Sequence, residues 1–157
     1  MKFIRINAGG LAEVIELEGQ DTIDYIKMKE LLGFDSPVTV VERKIEGQYY
    51  DLWLDDEGLL KAEEDRIVGA VLLDKRPNCS EYLIGNILIL THDEEGNSTG
   101  LTDDQISDIM YGKDMIHMDD LSDFQGWDKN QDKKIYGYFD NGSLTVKAHC
   151  QFLTYRL

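Results

Sequence analysis

The chain has 157 residues, with 31 acidic side chains against 16 basic ones, a formal net charge of −15 and 42% hydrophobic residues. That length suits one domain, or one domain with an appendage, and the apolar share excludes a disordered or collagenous chain. A field of this sign repels nucleic acid and anionic membrane and attracts basic surfaces, so neither direct nucleic-acid binding nor membrane binding is expected.

Lys2–Asn7 and Ala12–Glu18 read as two strands of a hairpin, with Ala8-Gly9-Gly10 as the turn. Asp21–Leu32 reads as a helix capped by Asp21 or Thr22. Ile23, Ile26, Leu31 and with them Tyr25 and Leu32 gather on its apolar face, and Gly33 ends it. Val38–Ile45 is β-rich, and Glu46-Gly47-Gln48 turns it into Tyr49–Leu54. Alternation sends Tyr50, Leu52 and Leu54 to one face and Tyr49, Asp51, Trp53 and Asp55 to the other. That aromatic and acidic stripe is either a contact surface or a face covered by a helix. Asp55-Asp56-Glu57-Gly58 reads as a solvated hairpin tip.

Further along, Ile67–Leu73 is a short apolar run that periodicity alone cannot assign to strand or helix. Asp74–Ser80, with Pro77, reads as loop. Ile84–Thr91 suits a central strand, and His92–Gly100 an acidic, glycine-closed loop. Thr102–Met110 carries a helix signature: Thr102 and Gln105 form a capping box, and Asp103 and Asp104 suit the positive end of the helix dipole. Ile106, Ile109 and Met110 make its buried edge. Tyr111–Gln125 reads as loop, and Asn141-Gly142 signals a hairpin between Lys134–Asp140 and Ser143–Leu153. The expected fold is α+β, a mostly antiparallel sheet built from hairpins with two short helices packed on it, plus the C-terminal β-hairpin. Residues 1–110 are expected to form an acidic core domain and 111–157 an extension packed on it.

The order of these features is familiar. YYDLWLDDEGLLK (49–61), IGNILILTHDEEG (84–96) and LTDDQISDI (101–109) give an acidic EEG-type turn, a later Gly-Asn plus strand, and a closing acidic helix. Over about residues 3–110 the chain resembles the bacterial and phage family known as domain of unknown function 3846. The resemblance implies an α+β fold and an origin in phage or mobile-element-rich genomes. It carries over no catalytic residues. Where that family places a Pro/Asn-containing loop, this chain has Lys61–Asp65 (KAEED).

Catalytic patterns are not found. No serine sits in a nucleophile elbow, and Gly9-Gly10 lacks the Lys-Ser/Thr that grips phosphate. His92, His117 and His149 form no HxxH spacing, and Cys79 and Cys150 no CxxC, so a zinc site has no local support. His92, beside Asp93-Glu94-Glu95, reads as a solvated histidine, with a pKa raised by the neighbouring charge as the alternative. Asp128, Asn130 and Asp132 have the alternate spacing of a calcium loop, but Lys133 and Phe139 stand where a glycine and a closing glutamate belong, so a polar turn is the simpler reading. No cofactor is expected. The two thiols are expected to be free and the compartment cytoplasmic, since no signal peptide or apolar run of about 20 residues is seen.

The expectation is therefore a non-enzymatic interaction protein. Its acidic surface, drawn from Tyr49, Asp51, Trp53, Asp55, Asp56, Glu57, Asp93, Glu94, Glu95, Asp103, Asp104 and Asp108, meets a basic partner protein, one that itself binds nucleic acid. The alternative is a small-ligand or metal-binding domain. The oligomeric state stays open.

Overall fold

A computed structural model describes residues 1–7, 12–33, 37–60, 68–72, 81–112 and 114–117, and the backbone of 135–140, 143–148 and 151–156. The expected turn at Ala8-Gly9-Gly10, the KAEED segment, the Pro77 loop, both cysteines, His149 and the Asp128/Asn130/Asp132 spacing lie outside the described residues.

Lys2–Ile6 (β1) pairs antiparallel with Ala12–Glu16 (β2), as the alternation predicts. Val38–Ile45 (β4) and Gln48–Asp55 (β5) form a longer hairpin in full register. Its turn has only two residues, Glu46 and Gly47, both at positive φ (49° and 83°). That geometry matches the strand twist and fixes the register without slack. Ile87–His92 (β8) slots between the two hairpins, giving the order β2-β1-β8-β5-β4. Ser98–Thr99 (β9) folds back to pair antiparallel with the end of β8 and also pairs with Thr22–Ile23 (β3). Every pairing is antiparallel.

Alternation makes this sheet apolar on both faces. Ile4, Ile6, Tyr50, Leu52, Ile87 and Ile89 share one buried cluster. Phe3, Leu88 and Leu90 belong to another, on the opposite face. The first face is covered by a second sheet, ordered Met115–His117 (β10), Val68–Leu72 (β6) and Glu81–Ile84 (β7), whose Ala70, Leu72, Leu83 and Met115 enter the cluster. Arg43 bridges the sheets, donating to both carboxylate oxygens of Glu81 at 2.7 and 3.0 Å. Helix Asp103–Tyr111 (α2) closes the same face through Ile109, with Ile106 and Met110 packed beside it. Its capping box is formed as expected: Thr102 Oγ1 accepts from the Gln105 amide at 3.1 Å, and Gln105 Oε1 from the Thr102 amide at 2.8 Å.

The opposite face is covered in part by helix Tyr25–Leu32 (α1), which packs Met28 and Leu32 on Phe3, Leu88 and Leu90. This helix corrects the expectation. Thr22 and Ile23 are extended, because their β-branched backbone finds partners in Thr99 and Ser98. The cap is Asp24, accepting from the Lys27 amide at 2.8 Å, rather than Asp21 or Thr22. A helix that starts at Tyr25 and buries Met28 and Leu32 must turn Ile26 outward, and Ile26 is 77% exposed.

Three more expectations change. The apolar run at 84–91 is two strands in different sheets, because Gly85 (φ 83°) redirects the chain from β7 into β8. Residues 115–117, expected as loop, pair with β6. Asp55–Gly58 is not a hairpin tip: β5 pairs with β4 and β8, Asp55 is only 3% exposed, and Gly58–Leu60 forms a 3-10 turn. Toward the C-terminus Ile135–Asp140 (β11), Ser143–Ala148 (β12) and Gln151–Arg156 (β13) pair antiparallel with one another, so Ser143–Leu153 is not one strand. No described helix is long and apolar enough to cross a membrane.

Candidate functional site

Three cross-strand rows run over the sheet face that α1 shares. The first is Val40–Trp53–Leu88. The second is Glu42–Asp51–Leu90. Lys44–Tyr49 opens the third, and His92 joins it, two residues beyond Leu90 and so on the same face. The helix end of this face is closed. Trp53 meets Tyr25 edge-on, with ring centroids 6.5 Å apart, and it packs against the α1 cluster. Its indole Nε1 is buried with no hydrogen-bond partner. The other end is open: Glu42 and His92 are exposed, and Tyr49 is 63% exposed.

At the open end Glu42, Asp51 and His92 bring one donor atom each within 4.8 Å of one another. His92 Nδ1 and Asp51 Oδ2 are 2.7 Å apart. Asp51, through that hydrogen bond first and its charge second, holds the imidazole above its ordinary value of 6.5, and Glu42 and Asp93 add to the effect. The expected solvated histidine is therefore one arm of a built cluster. Lys44, in the neighbouring row, lies over the Tyr49 ring at 5.8 Å. Two carboxylates and an imidazole on three adjacent strands can hold a divalent cation, or a cationic side chain from another molecule.

The turn after His92 is well formed. Asp93 accepts from the amides of Glu95 (3.0 Å) and Asn97 (2.9 Å) and from Asn97 Nδ2 (3.0 Å), and Gly96 takes positive φ (86°). The Asn97 bonds draw the Asp93 carboxyl below its usual range. Glu94 and Glu95 are left exposed at the tip.

The residues expected to form one acidic surface are thus divided. Tyr49, Asp51 and Trp53 share the face with His92, and Asp93, Glu94 and Glu95 follow directly from it. Asp55 is buried and accepts from the Glu57 amide at 2.9 Å, so it presents no free edge; Asp56 and Glu57 are exposed at the other end of β5. Asp103, Asp104 and Asp108 are exposed on α2, which packs on the opposite side of the sheet, and Asp103 is paired with Lys2 at 3.2 Å. Sequence reasoning missed Glu42 and the pairing of His92 with Asp51; His92 is exposed as expected, and its raised pKa comes first from Asp51 rather than from the acids that follow it. A strict two-residue reading of the Glu46-Gly47 turn places Glu42 opposite Asp51; nothing local places His92 there.

The model of a family described as a domain of unknown function, DUF3846, matches residues 1–115. The chain belongs to the DUF3846 family. The matched part of this DUF3846 protein holds β1–β9, both helices and every residue of the cluster. Comparison with curated proteins and with solved structures returned no match.

Proposed function

We propose that this DUF3846 protein is a non-enzymatic binding module that docks a basic surface of a partner protein in the cytoplasm. The observation that carries the reading is how its charges are used. Lys2, Arg5, Lys27 and Arg43 are engaged with Asp103, Glu13, Glu30 and Glu81. Glu94, Glu95, Asp56, Glu57, Asp104 and Asp108 are exposed, and among the described residues no base pairs with them. The remaining field is negative, and exposed Tyr49 beside it offers contact area at low entropic cost. In an origin from phage or mobile elements, such acids stand in for phosphates against a nucleic-acid-binding partner. The Glu42–Asp51–His92 cluster favours a second reading, a small-ligand or metal-binding domain.

The test is capture of partners from host lysate, at low and high salt, with two charge-reversed variants. The expected result is one basic partner whose retention falls with salt and is lost in Glu94→Lys/Glu95→Lys. The variant Asp104→Lys/Asp108→Lys, on the other side of the sheet, is expected to keep it. A partner retained by both variants and indifferent to salt overturns the reading.

A further inference from the structure

The open end of the β4–β5–β8 face has a donor set that a docking surface does not require. Strand register puts Glu42 directly opposite Asp51, and sheet order brings His92 against Asp51. The three donor atoms already lie within 4.8 Å of one another. Donors around an ion held at about 2.0–2.2 Å stand roughly 3–4 Å apart. The Glu42 side chain is exposed and unpaired among the described residues, so it can swing to make up the difference. We propose that Glu42, Asp51 and His92 bind one divalent transition-metal ion, of the Zn²⁺ or Mn²⁺ kind.

The chemistry of the set chooses the ion. Calcium takes six to eight oxygen ligands, and magnesium prefers oxygen and its own waters. An imidazole nitrogen with two carboxylates suits a borderline transition ion instead. The surroundings agree. Asp93 adds negative charge at His92. Lys44, the base in the next row, is drawn onto the Tyr49 ring. Two of the ligands stand on the sheet's longest hairpin and the third on its central strand, so the backbone fixes their spacing. The three protein ligands leave the solvent side open for water or an anionic co-ligand. The site is independent of the docking reading, which needs no bound ion.

The experiment is calorimetric titration of the full chain, stripped with chelator, with Zn²⁺ and Mn²⁺ separately. Co²⁺ serves as a second probe, because its visible absorption reports the ligand set. One ion per chain is expected, with affinity reduced at least tenfold in both His92→Gln and Glu42→Gln and the Co²⁺ spectrum changed in His92→Gln. Melting in chelator identifies any variant that fails to fold. Glu42→Gln, on an exposed strand position, keeps the test valid if a change at Asp51 or His92 disturbs the sheet. No binding of either ion overturns the proposal. So does binding of equal strength in both variants, which would place the ion elsewhere on the chain.

Discussion

Tyr50 shows how one side chain reports its surroundings. It is buried on the α2 side of the sheet, and its hydroxyl lies 3.3 Å from Gln48 Oε1. Burial first, and the charge of Asp108 second, push the phenol above its ordinary value of 10.0. A raised folded value means that the contribution of Tyr50 to stability is fully present below pH 10.0 and is lost as pH rises through the folded value. Absorbance titration should show a late phenolate component that disappears in Tyr50→Phe. Leu52, fully buried on the same face, should cost about 2–5 kcal/mol when cut to alanine, measured by denaturant unfolding.

Elements behave as their ends and faces dictate. Thr102 anchors a complete capping box, so Thr102→Ala should cost about 1 kcal/mol. The face of α1 gives a sharper contrast. Ile26→Lys should change stability by no more than about 0.5 kcal/mol, while Met28→Ala should cost roughly 2–5 kcal/mol. The opposite ranking would restore the helix face expected from the sequence. At Gly69, beside the irregularity in β6, an added Cβ would run into the Gly85 carbonyl oxygen and reach Ile87 Cδ1 at 3.0 Å. Backbone cannot yield cheaply there, so Gly69→Ala should lower the melting temperature by more than the exposed Ile26→Lys does.

Across the whole molecule, the sheet divides the acids between two sides. Salt should therefore weaken partner capture through the Glu94–Glu95 side without altering the melting temperature greatly, since the exposed ion pairs of this fold contribute little. The two sides can be tested separately because α2 and the His92 face are separated by the sheet itself.

By itself the sequence determined the local structure. Alternation in β1, β2, β4 and β5, a turn at Glu46-Gly47-Gln48 that the structure shortens to Glu46-Gly47, and the Thr102–Gln105 box are contacts between near neighbours, so their physics is written in short segments. The tertiary structure decided where β8 inserts, which face each helix covers and that Thr22–Ile23 is extended. Those depend on which apolar faces are buried together, and several arrangements bury the same residues equally well in a linear reading. The Glu42–Asp51–His92 cluster spans both levels. Its first pair follows from a two-residue turn. Its histidine arrives only because β8 pairs with β5, across the intervening β6 and β7, rather than with the preceding β7.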